Sequence, residues 1–363
     1  MSDNHLRYRS IKKAFRQLLP NAGKELDIMS QMVSGIVGSK RVHYSHIASK
    51  VPSSIKLESR VKSYSRWVND VEEEPEVHVM PFALALLANL AAAQTLAFVI
   101  DGSEVGRKCL VLIINVIYRS RALPIAWIVV KGSKGHFPED THIKLVRKVH
   151  ELIPEGAEVV FLGDGEFDGT LLQAELDKCH WRYVCRTASN TILSKNGAES
   201  AYQDLPLQAG ECWSIADVFF TRKNYGPVMA IGWWRKGYQE PIYLVTNFDT
   251  ADEACHWYQK RFHIETFFSD QKSRGFHLHK SHIADPTRLA RLMLAACLAY
   301  IWIVYLGALA METGLYRRIH RTDRCDLSLF QLGFRMLDYL IDHDLPIPVT
   351  FALSEHAISE FVR

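Results

Sequence analysis

From Leu292 to Met311 the chain reads LMLAACLAYIWIVYLGALAM, twenty residues without a charge. A stretch of that length is what a membrane-spanning helix needs. It is equally what the innermost helix of a large globular core looks like, since such a helix is apolar all round. The stretch is alone of its kind, rich in alanine, and flanked on both sides by water-compatible helical sequence. The preferred reading is a buried central helix with no membrane, which demands a fold large enough to surround it. With 363 residues there is chain for two or three domains. The balance of 48% apolar and 23% charged residues is that of a globular protein.

Other features narrow the class. The seven cysteines, at 109, 179, 185, 212, 255, 297 and 325, form no CxxC pair and no zinc-finger spacing, so reduced thiols in a cytoplasmic protein are expected. The N-terminus lacks the apolar stretch of a signal peptide. Neither GxxxxGK[ST] nor GxGxxG occurs, so nothing points to a nucleotide cofactor. The net charge of +3 is uninformative, but the first 65 residues are clearly basic and are followed by the acidic run DVEEEPE at 70–76, read as a solvated linker.

Residues 1–78 read as short helices. In IKLESRVKSYSRWVND the apolar positions are Ile55, Leu57, Val61 and Trp67, with Ser53 and Ser54 as caps. Lys56, Arg60, Lys62 and Arg66 fall mostly on other faces, so this unit is either a DNA-binding module or a solvated helical cap. From residue 79 an apolar helix leads into three strands in succession, LAFVIDGSEV, KCLVLIINVIYRS and ALPIAWIVVKG, predicting an antiparallel meander. Helix, strand, helix and strand follow to residue 187. That order predicts an α/β fold with a ribonuclease-H-like core: a mixed five-stranded sheet with helices, its fourth strand parallel to the first. Residues 188–248 break the pattern with Gly and Pro punctuation and short strand-like runs, predicting an all-β insertion. Helical sequence resumes at 249–311 as the remainder of the core, and 312–363 read as a helical C-terminal region.

Asp101 closes the apolar run of the first strand, and Asp164 in GDGEFDG stands at the tip of the fourth. Neighbouring strands about 4.8 Å apart would bring the two carboxylates together. Like charges so placed favour a cation between them, and oxygen ligands suit Mg²⁺ or Mn²⁺. A third acid comes from YQKRFHIETFFSDQK, residues 258–272. At 100° per residue, Tyr258, Arg261, Glu265 and Lys272 project within about 60° of one another on a continuous helix. One acid among three donors suits a site that binds metal through the acid and phosphates through the donors. Lys260 and Asp270 fall off that stripe and read as solvated bystanders, while the bland alternative for the stripe is an i,i+4 pair between Arg261 and Glu265.

The pattern Y-x2-R-x3-E-x6-K, here Tyr258, Arg261, Glu265 and Lys272, resembles the signature of DDE transposases of bacterial insertion sequences, IS-four family. Asp101 and Asp164 look like the first two acids of that triad, and the β-like stretch before Glu265 is similar to the insertion in that family's core. The resemblance covers roughly residues 25 to 310. It departs at Gly102-Ser103, where the family carries a bulkier residue and then Thr. It implies that Asp101, Asp164 and Glu265 hold two divalent ions, Mg²⁺ or Mn²⁺. Tyr258, Arg261 and Lys272 would grip phosphates beside the cleaved end. An aromatic in the insertion (Trp233, Trp234 or Tyr243) would stack on a flipped base during hairpin formation. It further implies double-stranded DNA partners, transposon ends and target, and a homodimer pairing two ends. Arg186 and Asn190 could reach the site's edge, while Glu104 and Asp168 read as supporting or turn residues. His263, His277, His279 and His282 match no zinc spacing and read as contacts to phosphate or solvent. A second reading is a relative that only binds DNA as a regulator.

Overall fold

The computed structural model describes residues 3–70, 75–132 and 136–353, with the side chains of 75–77 left aside. Most of the acidic run expected as a linker, and the last ten residues of the expected helical C-terminal region, lie outside the described residues.

Five helices come first: α1 Asp3–Leu18, α2 Gly23–Ser39, α3 Tyr44–Ser49, α4 Leu57–Asn69 and α5 Pro75–Ala91. The strands β1 Leu96–Val105, β2 Cys109–Tyr118 and β3 Arg121–Lys131 form the expected antiparallel meander. Then follow α6 Glu139–His150, β4 Val159–Gly163, α7 Thr170–Lys178 and β5 Arg182–Thr187. The strand β4 lies between β1 and β5 and runs parallel to both.

The sheet does not stop at five strands. The β-rich stretch supplies β6 Ile192–Lys195, β7 Ala198–Ala201, β8 Cys212–Phe220, β9 Tyr225–Trp233 and β10 Ile242–Thr246. Because β10 pairs antiparallel with β5, these strands extend one ten-stranded sheet in the order β3-β2-β1-β4-β5-β10-β9-β8-β6-β7. The parallel centre cannot be joined by tight turns, and α6 and α7 make the crossovers.

Among the described residues, helices α8 Ala251–Tyr258, α9 His263–Gln271, α10 Pro286–Glu312, α11 Tyr316–Ile319 and α12 Leu329–Asp342 follow. The side chain of Thr250 caps α8 by accepting from the Glu253 amide. The charge-free stretch lies in α10, whose most apolar window is wholly buried inside the fold. It crosses α12 at backbone distance. A Cβ on Gly307 would sit 1.9 Å from the Leu329 carbonyl oxygen, and one on Gly333 1.8 Å from that of Ile303. Two glycines therefore let a helix pair approach more closely than side chains permit.

The N-terminal helices share the same continuous core. Arg291, 1% exposed, donates to Glu25 on α2 and to the Asp70 carbonyl (both 2.8 Å), and its guanidinium lies over the Trp67 ring of α4. The cap expected at Ser53 or Ser54 is not used: α4 starts at Leu57, leaving Ile55 and Leu57 exposed, and Tyr64, Trp67 and Val68 make its buried face.

Candidate active site

The β1–β4 ladder pairs Phe98 with Phe161 and Val99 with Leu162. Carrying that register two residues further brings Asp101, within β1, level with Asp164, the first residue beyond β4. Both are half-buried. Asp101 accepts from the Gly102 amide at 2.7 Å, and Asp164 accepts from the Glu166 amide at 3.0 Å. Burial first, and then the charge of Asp164, push the Asp101 carboxyl up to about 6. The Gly102 amide and Arg261 pull it down, whereas Glu265 pushes it up. Both of the other predicted acids thus act on Asp101. Glu166 is in turn held by the Phe137 amide at 2.6 Å and lies 3.2 Å from His136, which fixes the turn carrying Asp164.

The stretch 258–272 departs from expectation. It is not one helix: α8 ends at Tyr258, a 3₁₀ turn spans Gln259–Phe262, and α9 begins at His263. Three residues per turn bring Tyr258 and Arg261 onto one line. The single-helix geometry behind the predicted stripe is therefore not what the chain adopts, and Lys272 lies just beyond α9. Arg261 is buried and donates to Glu265 at 3.2 Å, the bland i,i+4 pair, while the Glu265 side chain is 60% exposed. Lys272 donates to Ser103 Oγ at 2.7 Å, two residues from Asp101 on β1. Burial pushes its ammonium down, and Glu104 and Asp101 pull it back up. Burial pushes the Tyr258 phenol up to about 12, with Arg261 and Arg186 opposing and Asp164 reinforcing.

Asp270 corrects an expectation outright. Read as a solvated bystander, it is 5% exposed and pairs with Arg121 of β3 at 3.1 Å. Burial outweighs Arg121 and pushes its carboxyl up to about 6. The signal was present in the sequence, because Asp270 follows Phe267 by three and so shares the apolar face of α9. Lys260 lies 3.7 Å over the Trp257 ring.

The remaining candidates scatter. Arg60 donates to the carbonyls of Ala48 and Val51 at the end of α3, a structural role, whereas Lys56, Lys62 and Arg66 are exposed on α4 or just before it. Arg235 covers Trp233, and Trp234 donates to the Tyr238 carbonyl at 2.9 Å. Tyr243 packs against Tyr202 and sits opposite Thr187, one strand beyond β4's neighbour β5. Asp168 accepts from Thr187 Oγ1 at 2.6 Å. Asn190 and Glu104 are exposed. Ser103, read only as a departure, is the partner of Lys272, and Gly102 leaves just 3.0 Å between a would-be Cβ and the Phe137 ring.

The Asp pair, with Asp101 raised by burial and then by the charge of Asp164, is a donor set that fits a hard divalent cation. Glu265 is turned to Arg261 instead, and among the described residues no three metal-ligating side chains converge.

The family profile described as "Transposase DDE domain" matches residues 100–302, more than half of the chain. The chain belongs to that family. Among solved structures, a cryo-EM structure of a piggyBac transposase synaptic complex with hairpin DNA is similar, with 11% identity and a TM-score of 0.40 over 68% of this chain and 52% of that one. The chain thus spans about half the length of that transposase. No curated protein matches it.

Proposed function

We propose that the chain is a transposase of the IS-four, YREK-bearing type, built on a ribonuclease-H-like core. In this reading it binds the terminal inverted repeats of its element as a homodimer and catalyses DNA strand cleavage and transfer, through either a hairpin or a direct double-strand break. The observation that carries this reading is the level placement of Asp101 on β1 and Asp164 just beyond the parallel β4, with Arg261 and Glu265 close enough to act on Asp101's proton. Asp101, Asp164 and Glu265 would hold two Mg²⁺ or Mn²⁺ ions, Glu265 exchanging Arg261 for them. Divalent ions there supply Lewis acidity at phosphorus and a nucleophilic water at neutral pH. Released from Glu265, Arg261 would take a phosphate, joined by Lys272 and Tyr258, so that the scissile phosphodiester is oriented by donors on one side and acids on the other. Tyr243, on the strand beside β5, would be the nearest surface for an unstacked base. The test is cleavage of a labelled duplex carrying the element's end, with Mg²⁺ or Mn²⁺. The parent chain is expected to nick it and Asp164→Ala to bind without nicking. Full activity in that variant would refute the reading.

The Arg261–Glu265 pair favours one alternative, a relative that binds DNA without cutting it. Absence of nicking by the parent chain, with binding intact, would establish that alternative.

A further inference from the structure

Away from the acids, at the junction of the N-terminal helices with the connector between α9 and α10, lies a pocket of about 220 Å³. It is lined by Arg41, His43 and His46 from one side and by His277, Lys280 and His282 from the other, with no carboxylate in its wall. The two sides are pinned by a backbone hydrogen bond from the Val42 amide to the Phe276 carbonyl at 3.1 Å. His277 and His282 hold left-handed backbone conformations (φ 56° and 58°), a cost that non-glycine residues bear mainly where the surroundings fix them.

Six cationic or potentially cationic side chains facing one cavity repel each other. Burial, and then the charges of Arg41 or Lys280, hold the imidazoles of His46 and His277 below their ordinary range. The Nδ1 atom of His277 is buried without a hydrogen-bond partner. A metal centre does not account for the cluster, since no three ligating side chains among the described residues converge. What the pocket lacks is negative charge. One of its walls is tied to the loop that carries Lys272: the His277 amide donates to the Lys272 carbonyl at 3.0 Å, and Lys272 in turn reaches Ser103 on β1.

We infer that this pocket is a second phosphate seat for DNA, set apart from the acids, which holds the duplex backbone where the N-terminal helices meet the α9–α10 connector. The inference rests on the DNA-acting reading above and names a contact that reading does not require. A backbone strand gripped at Lys272 needs only to follow the connector to arrive there. Contacts of this kind position a duplex without reading its sequence.

The test uses the full chain and duplexes with and without the element's end, with binding measured across a range of salt concentrations. Each phosphate neutralised contributes about 0.9 to the slope of log K against log salt. Arg41→Gln combined with Lys280→Gln is expected to flatten the slope by about 1.8 on every duplex. A control pair at exposed lysines elsewhere, Lys24→Gln with Lys144→Gln, should leave it near the parent value. Lys280→Glu alone serves if the double variant melts early. An unmoved slope, or an equal change in the control, overturns the seat. So does a histidine NMR shift with inorganic phosphate alone and no change in the duplex slope, which would mark a small-anion site. If the parent chain binds no duplex at all, the DNA-acting reading falls too. If the parent binds and nicks but the slope does not move, only the seat falls.

Discussion

The three acids are held in two very different ways. Asp101 and Asp164 are placed by a parallel ladder, in which register alone makes them level. Glu265 is placed by a helix that has been broken, tightened into a 3₁₀ turn and restarted, and it is steadied by an ion pair with Arg261. Strand pairing sets position through backbone hydrogen bonds and tolerates many side chains. The helical side depends on particular side chains at long sequence separation: Asp270 to Arg121, 149 residues apart, and Lys272 to Ser103, 169 apart. The ladder side is a fixed floor, and the helical side is the part that must rearrange if Glu265 is to turn from Arg261 toward the other acids.

Four experiments probe that contrast. The largest effect belongs to the floor: Asp101→Ala or Asp164→Ala should reduce metal-dependent nicking by about 10³-fold or more, on the order of 4 kcal/mol in barrier, with the melting temperature little changed. A large drop in melting temperature instead would make these acids structural. Next, Arg121→Met strips the partner from a buried carboxylate and should cost about 3–5 kcal/mol at pH 8. The sign follows from Asp270, whose carboxyl sits near 6 in the fold against an ordinary 3.8. A raised carboxyl contributes fully below its ordinary value and loses that contribution as pH rises through about 6. The penalty for losing Arg121 should therefore shrink toward pH 4, and urea melts at the two pH values measure it. An equal penalty at both would mean the pair matters for packing and not for charge. Smaller still, Ser103→Ala removes one hydrogen bond to an ammonium and should cost about 1–2 kcal/mol, read as weaker binding of a cleaved-end duplex. Least of all, Lys260→Ala loses a cation–π contact worth about 0.5–1 kcal/mol at a partly exposed site and should leave nicking unchanged.

The same contrast explains what the sequence could and could not reveal. Alternation and apolar runs located β1 to its ends, and the Asp at the tip of β4 followed from the run before it, because strand faces repeat every two residues whatever lies far away. The extension of the sheet through β10 was not visible, since partner choice for a strand is decided across the sheet and not along the chain. The break after Tyr258 carries no glycine or proline to announce it. Asp270 reads as solvated from its neighbours in the chain, because the arginine paired with it sits far off at the start of β3.

The embedding of α10 also has a consequence for the order in which the molecule can form. Arg291 near its start is bound to the Asp70 carbonyl and to Glu25, 221 and 266 residues earlier. Its closest packing partner, α12, is made last of all the helices described. A nascent chain emerging from the ribosome would therefore carry its basic N-terminal helices, and most of its sheet, with their inner faces uncovered until the final stretch appeared. Long-range closure of that kind is slow and leaves apolar surface open meanwhile. Acquisition of the fold, and with it of the acids' alignment, should be late and all at once rather than segment by segment.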